Sequence, residues 1–114
     1  MRSPVEERPR ADALADILKA LAHHARLRIV AALCSTEESV IGLSERLDIP
    51  QAIVSQQLRI LRMSGLVAVT REKGFARYSL ARPRLRDLIA CLEHCHSEKS
   101  GATGARREGA GKWA

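Results

Sequence analysis

The sequence predicts a mainly α-helical domain with one β-hairpin, in the element order α-α-α-α-β-β-α. Apolar residues recur with helical spacing from Ala11 onward, and the pattern changes to a β-prone run at Leu66. The chain has three aromatic residues, so its core must consist of Leu, Ile, Val and Ala, which suits helices packed on helices. Its 114 residues correspond to one domain.

The first two helices are predicted to follow a flexible N-terminal arm over residues 1–10, which is polar and contains two prolines. From Ala11, apolar residues with i, i+3, i+4, i+7 spacing define one helix face: Leu14, Ile17, Leu18 and Leu21. A second helix is expected from about Ala25 to Cys34, with Cys34 on its apolar stripe.

Helices three and four are separated by a very short break. Ser39 is the expected N-cap of the third helix, and Asp48-Ile49-Pro50 interrupts the chain before the fourth. The fourth helix, PQAIVSQQLRILRMSG, ends at Gly65. Its buried side is predicted to consist of Ile53, Val54, Leu58 and Leu61. Two helices joined in this way form a helix-turn-helix.

A basic hairpin follows the helix-turn-helix. Residues 66–70 and 75–80 are predicted strands, and the turn between them contains Gly74, which is available for a positive φ. Phe75 and Tyr78 are expected to pack in the hairpin and the core rather than to stack on bases. A hairpin in this position is the wing of a winged helix-turn-helix.

The last helix is predicted to open at Pro83 and to carry an apolar stripe of Leu85, Leu88, Ile89 and Leu92. Residues 99–114 are rich in Gly, Ala and charge, which predicts a disordered tail. The winged domain, with its DNA-binding and dimerisation surfaces, is therefore expected over residues 11–98.

The net charge of +6 is concentrated in one part of the chain. Residues 51–86 contain eight Lys or Arg and a single Glu, a net charge of +7, which indicates a polyanionic partner. No apolar run approaches the roughly 20 residues of a membrane span, and the N-terminus lacks a signal-peptide core. We expect a cytoplasmic protein that does not bind membranes and whose three cysteines are thiols. No catalytic motif is present, so an enzyme is not expected.

The fourth helix and the wing supply the candidate DNA contacts. Glutamine can bind adenine through two hydrogen bonds, serine is an adaptable donor or acceptor, and arginines hold phosphates. The candidates on the helix are Gln51, Ser55, Gln56, Gln57, Arg59 and Arg62. Those on the wing are Arg71, Lys73 and Arg77.

Residues 12–97 resemble the ArsR/SmtB family of winged-helix repressors, most specifically in LKALAHHARLRIV, IVSQQLRILRMSGLV and REKGFARYSL. The resemblance implies a homodimer joined by its first and last helices, hence by Leu14, Ile17, Leu18, Leu85, Leu88, Ile89 and Leu92. It also implies a repressor that leaves its double-stranded DNA operator when an inducer binds. The family's contact positions fall at Gln51, Ala52, Ser55, Gln56 and Gln57, with the wing at Arg71 to Arg77.

The same resemblance restricts the inducer site. The family's early thiolate pair matches Ser39 and Ile41 here, and the leading positions of its zinc set match Arg82 and Arg84. Neither of those metal sites is therefore expected. No cofactor is required by the sequence, although a thiolate-bound soft metal ion or arsenite is indicated by the cysteines.

Cys91 and Cys95 have i, i+4 spacing, which places their Cβ atoms about 5–6 Å apart on one helix face. One soft, thiophilic ion can bridge two such thiolates, whereas arsenite favours three, the third coming from Cys34 or a symmetry-related thiol.

Two alternatives remain open. Persulfide-sensing relatives use a second-helix cysteine and one near the end of the last helix, a layout that Cys34 and Cys95 share. In those relatives the second-helix position aligns with Ala31, one turn earlier. That chemistry needs a thiol of lowered pKa, to which Arg82, Arg84 and Arg86 would contribute. The other alternative is a constitutive DNA-binding regulator without an inducer, in which Cys34 packs as a small apolar residue.

Overall fold

The computed structural model describes the backbone of residues 3–103 and the side chains of residues 3–98. The described residues fall into two compact units, one ending at Pro83 and the other beginning at Arg84. After a short 3-10 helix (Pro4–Glu6), the elements are α1 (Arg8–Leu21), α2 (His24–Ser35), α3 (Val40–Leu47), α4 (Gln51–Met63), β1 (Val67–Glu72), β2 (Phe75–Leu80) and α5 (Leu85–Thr103). The predicted element order is confirmed.

The N-terminal segment is more regular than predicted. The side chain of Ser3 accepts a hydrogen bond from the N–H of Val5 at 3.0 Å, and the N–H of Ser3 donates to the carboxylate of Glu6 at 2.9 Å. Helix α1 then begins at Arg8 rather than at Ala11, with a proline in its first turn. Part of the expected flexible arm is therefore helical in this structure.

The core of the first unit is aliphatic, as predicted. Helix α2 packs against α3 and α4, and the apolar faces of the three helices meet. The largest fully buried side chains are Ile29, Val30, Leu33, Leu43, Val54, Leu58, Leu61 and Leu66. Ile53 was expected among them but is 39% exposed. It lies roughly 90° from the centre of the buried stripe of α4, at the edge of the outer face.

The turn between α3 and α4 is held by hydrogen bonds from α3. At the start of α3 the predicted N-cap is confirmed, because the side chain of Ser39 accepts a hydrogen bond from the N–H of Gly42 at 3.0 Å. Asp48 ends α3 in the left-handed conformation, with a φ of 57°. The hydroxyl of Ser44 then donates to the carbonyl of Ile49 at 2.6 Å, and the backbone carbonyl of Ser44 accepts from the N–H of Ile49 at 3.1 Å. These bonds fix the direction in which α4 leaves the turn.

The wing is an antiparallel hairpin in which Val67 pairs with Leu80 and Glu72 with Phe75. Its two turn residues, Lys73 and Gly74, have φ values of 50° and 81°. Two consecutive positive φ values are those of a type I′ turn, which matches the twist of a hairpin. The glycine was predicted to take this conformation, whereas the lysine was not.

The wing is also fastened to the segment before α3. The N–H of Tyr78 donates to the carbonyl of Glu38 at 2.7 Å, and the N–H of Glu38 donates back to Tyr78 at 3.1 Å. Glu38 thereby forms an isolated antiparallel bridge with Tyr78 of β2. The base of the wing is thereby tied to the start of the helix-turn-helix.

The second unit consists of α5. The helix begins at Leu85, two residues after the predicted start, and continues to Thr103, past the predicted end of the domain. Leu85 is buried, and Leu88 and Ile89 are half-buried. Residues 104–114, most of the predicted tail, lie outside the described residues. Within residues 3–103, no helix is long and apolar enough to cross a membrane.

Candidate nucleic-acid interface

Helix α4 presents a mainly polar surface opposite its buried stripe. We define the α4 outer face as the exposed residues Gln51, Ala52, Ile53, Ser55, Gln56 and Arg59. All of them except Gln51 line one shallow groove along the helix. On the other side of the helix, Val54, Leu58 and Leu61 are almost completely buried. The helix is therefore anchored along its whole length while its outer face is available to a partner.

Gln57, which was predicted to contact DNA, does not belong to this face. It is only 7% exposed. Its side-chain oxygen accepts a hydrogen bond from Nη1 of Arg26 at 2.9 Å, and Nε of Arg26 donates to the carbonyl of Ala20 at 2.6 Å. Gln57 lies between Val54 and Leu61 on the buried stripe, and this helical spacing was the signal that would have placed it inside.

Further cationic side chains are exposed elsewhere on the same unit. Arg62 is exposed near the C-terminal end of α4, and Arg71 and Lys73 are exposed at the tip of the wing. Their charges are suited to phosphate groups, which bind arginine and lysine without regard to base sequence.

Arg77 is exposed but already has partners. Its Nε lies 3.6 Å from a carboxylate oxygen of Glu37, and its Nη2 donates to the backbone carbonyl of Glu37 at 3.2 Å. Arg77 therefore links β2 to the segment between α2 and α3. A phosphate would have to compete with the carboxylate of Glu37 for this guanidinium.

The two aromatic side chains of the wing have different environments. Tyr78 is buried, as predicted. Phe75 was also expected to pack, but it is 71% exposed beside the turn at the tip of the wing. The prediction for Phe75 is wrong because β2 turns this side chain away from the helices.

The second unit carries the two neighbouring cysteines. Cys91 and Cys95 are exposed and lie one helical turn apart on α5, in keeping with their i, i+4 spacing. The pKa of the Cys95 thiol is raised, chiefly by the charge of Cys91, with desolvation, the hydrogen bond to Cys91 and the charge of Glu98 adding to the effect. Arginines were expected to lower a thiol pKa, and at Cys95 the shift has the opposite sign.

Other residues that could bind a metal ion lie near the cysteine pair in sequence or elsewhere in the chain. His94 is engaged through Nδ1 with the backbone carbonyl of Ala90 at 3.2 Å. Cys34, in the first unit, has intermediate exposure. Among the residues that the structure describes, no group of three His, Cys, Asp or Glu side chains is placed to hold a metal ion.

Comparison with known proteins identifies the family. The model of the bacterial regulatory protein, arsR family, matches residues 23–69, which contain the helix-turn-helix. A biofilm growth-associated repressor of Agrobacterium fabrum is 43% identical over 83 residues, covering 73% of this chain and 71% of the repressor. The chain belongs to the arsR family. This family consists of transcriptional regulators. The chain is therefore a transcriptional regulator rather than an enzyme.

The winged helix-turn-helix fold of this arsR-family chain is confirmed by the winged helix-turn-helix domain of Mb0332 from Mycobacterium bovis, which superposes with a TM-score of 0.74 at 24% identity, covering 95% of this chain and 97% of that domain. HlyU of Vibrio cholerae superposes with a TM-score of 0.73 at 32% identity, covering 80% of this chain and 99% of HlyU. The transcriptional repressor BigR of Xylella fastidiosa gives a TM-score of 0.72 at 36% identity, covering 76% of this chain and 89% of BigR. HlyU is named a transcriptional activator. The relatives therefore include both transcriptional repressors and a transcriptional activator.

Nine of the ten predicted DNA-contact residues of this arsR-family chain are exposed, Gln57 being the exception. Two side chains that were predicted to be buried, Ile53 and Phe75, are exposed instead. Their apolar character was the reason for the prediction, and burial was decided by the orientation of α4 and of the wing.

Proposed function

We propose that this arsR-family regulator is a homodimeric repressor that binds a palindromic DNA operator and is released by a thiol-reactive inducer. The observation that carries the DNA-binding part is the α4 outer face, which presents polar side chains above a fully buried stripe. A recognition helix needs both properties, since it must enter the major groove without losing its support from the core.

The side chains of the α4 outer face and the wing fall into two groups, one suited to base edges and one suited to phosphates. Ser55 and Gln56 lie in the N-terminal half of α4, where a recognition helix meets base edges. Arg59 and Arg62 farther along the helix, and Arg71 and Lys73 on the wing, are suited to phosphates. No side chain caps the N-terminus of α4, which leaves the positive end of its dipole open to a phosphate as well.

The dimer is supported by apolar side chains that a single chain leaves in water. Leu14 and Leu18 on α1 are exposed, as is Leu92 on α5. Ile17, Leu88 and Ile89, from the same predicted interface, are half-buried. Leu85 is buried already and adds little new area. Contact with a second copy would remove the other side chains from water and place two recognition helices one turn of DNA apart, about 34–36 Å.

The inducer is proposed to act at the Cys91–Cys95 pair. The proposal is supported by the exposure of both cysteines and by their spacing of one helical turn on α5, which suits one soft ion such as arsenite, antimonite or a thiophilic metal ion. A third thiolate would come from Cys34 or from the second subunit. A persulfide-forming site that uses Cys34 and Cys95 is the second candidate, supported by the presence of one cysteine on α2 and another late in α5.

The DNA-binding part is tested by selecting operators from a random duplex pool and measuring affinity by fluorescence anisotropy at several salt concentrations. We expect a palindromic site, a dimer in sedimentation experiments, and an affinity that falls steeply with salt. Gln56→Ala and Arg59→Ala should both weaken binding. A monomeric chain that binds no duplex at low ionic strength would contradict the proposal.

The inducer part is tested by titrating the operator complex with arsenite, cadmium, copper(I) and a polysulfide. Release by a metal or metalloid that is lost in both Cys91→Ser and Cys95→Ser supports the dithiol site. Release by polysulfide that depends on Cys34 and Cys95 but not on Cys91 supports the persulfide site. If none of the four reagents releases the wild-type chain, the regulator is constitutive with respect to thiol chemistry.

A further inference from the structure

Ile53 is the one large apolar side chain on the α4 outer face. It is 39% exposed and lines the same groove as Ala52, Gln56 and Arg59. Val54, which follows it in the helix, is completely buried. The branched side chain of Ile53 therefore forms an apolar patch on the α4 outer face. Ala52 enlarges this patch by one methyl group.

The chemistry of the major groove offers a specific partner for such a patch. Base edges there carry hydrogen-bond donors and acceptors, and the one apolar group among them is the 5-methyl group of thymine. Gln56 lies three residues from Ile53, so the two side chains are neighbours on the helix surface. The amide of Gln56 matches the N6 and N7 atoms of adenine. A hydrocarbon contact beside an adenine-matching amide is suited to A·T pairs.

We propose that Ile53, together with Ala52, contacts the 5-methyl group of a thymine in each operator half-site and so selects an A·T pair. The inference rests on the proposed operator binding and adds the base that this part of the surface recognises. The nearby charge supports duplex DNA as the occupant, because Arg59 lines the same groove and Arg62 is exposed three residues farther along α4. An apolar protein partner would leave these cations without a counter-charge.

The test uses the operator selected from the random pool, in which each thymine of a half-site is replaced in turn by uracil. Uracil keeps every hydrogen-bonding group and lacks only the 5-methyl. At one thymine per half-site we expect the replacement to weaken binding by about fourfold, the equivalent of ~0.8 kcal/mol for one buried methyl-sized group. At the other thymines the affinity should be unchanged.

The same replacement is then measured on variants. Ile53→Ala should lose most of the difference in affinity between thymine and uracil operators, because only the small methyl groups at positions 52 and 53 remain to contact the thymine methyl. Ile41→Ala is the matched control, since Ile41 is also exposed but lies on α3, and it should keep the wild-type sensitivity. Ile53→Val, which retains a branched side chain, should keep part of it and covers the case in which Ile53→Ala does not fold.

Two results would overturn the inference. One is a wild-type chain that binds its selected operator but shows no loss at any uracil position. The other is a uracil effect that remains unchanged in folded Ile53→Ala. A chain that selects no operator at all would instead contradict the proposed function, so the two failures are distinguishable.

Discussion

Arg26 holds the side chain of Gln57 inside the helical core, with 2.9 Å between Nη1 and Oε1. The same guanidinium donates to the carbonyl of Ala20, so it joins the end of α1 to α2 and α4. Gln56, the preceding residue, is exposed on the α4 outer face. Two consecutive glutamines thus face in different directions, and Gln57 supports the helix on which Gln56 is proposed to recognise DNA.

Gln57→Ala and Gln56→Ala should therefore have different effects. Gln57→Ala leaves a partly buried guanidinium without its acceptor, which should lower the free energy of unfolding by about 1–3 kcal/mol. The operator affinity of the folded fraction should change little. Gln56→Ala should weaken operator binding, by roughly 1–3 kcal/mol if its amide binds one adenine, and leave stability within ~0.5 kcal/mol. Urea unfolding and fluorescence anisotropy measure the two quantities, and equal loss of stability in both variants would contradict this assignment.

The helix order and the helix-turn-helix were predictable because they depend on residues close together in sequence. Ser39 caps α3, and the break at Asp48-Ile49-Pro50 separates α3 from α4. The inward direction of Gln57 depends in addition on a partner 31 residues away, Arg26. The place of Gln57 on the apolar stripe could be seen in the sequence, but the hydrogen-bond partner that satisfies its buried amide could not.

The exposure of Ile53 and of Phe75 was not predictable for a related reason. Hydrophobicity predicts burial on average, but an individual apolar side chain at the edge of a stripe or beside a turn can remain in water. The angle at which α4 lies on the core and the register of the hairpin decide these two cases. Both depend on tertiary packing rather than on the local pattern.

Lys73 occupies a conformation that lysine adopts at a cost. Its φ of 50° lies in the left-handed region, which asparagine and glycine tolerate better. Lys73→Asn should therefore raise the free energy of unfolding by about 0.5–1 kcal/mol. It should also reduce the slope of log affinity against log salt by roughly 0.9, if Lys73 contacts one phosphate.

The matched control for Lys73 is Arg71→Asn, on the neighbouring strand. Arg71 pairs with Ala76 in the ladder, and asparagine is disfavoured in strands. This variant should lose a similar part of the salt dependence without any gain in stability. Thermal unfolding by circular dichroism and anisotropy at four or more salt concentrations separate the two effects. A Lys73→Asn variant no more stable than wild type would show that the turn conformation is not limiting.

The ion pair between Glu37 and Arg77 should restrain the DNA affinity of the wing. Glu37→Gln removes the carboxylate 3.6 Å from Nε of Arg77 while the backbone carbonyl of Glu37 still accepts from Nη2. Because exposed ion pairs contribute at most about 1 kcal/mol, operator affinity should rise by no more than about fivefold. The gain should be largest at low salt.

A double-mutant cycle identifies the origin of that gain. In the Arg77→Ala background, Glu37→Gln should improve affinity by less than it does in the wild type, because the guanidinium that it would release is absent. Equal gains in both backgrounds would assign the effect to net charge alone and contradict a role for the Glu37–Arg77 pair.

Cys91 should control the protonation of Cys95. The pKa of Cys95 is raised mainly because a thiolate at Cys95 would lie beside the negative charge of Cys91. Cys91→Ser removes that charge, so the pKa of Cys95 should fall toward its usual value. Alkylation of Cys95 by iodoacetamide, followed by mass spectrometry of the peptide between pH 7 and 11, should then show a midpoint at lower pH. The rate at pH 8 should rise, because the thiolate is the reactive form.

The same raised pKa makes the affinity for a soft ion depend on pH. Cys95 is a metal ligand only as a thiolate, so its proton must leave when the ion binds, and affinity should increase as pH rises from 6 to 8. Cys34→Ser is the control for both measurements, since it leaves the α5 pair intact and should reproduce the wild-type alkylation midpoint of Cys95. If the pH midpoint for alkylation of Cys95 is the same in Cys91→Ser as in the wild type, the two thiols do not interact. That result would contradict the proposal that they bind one ion together.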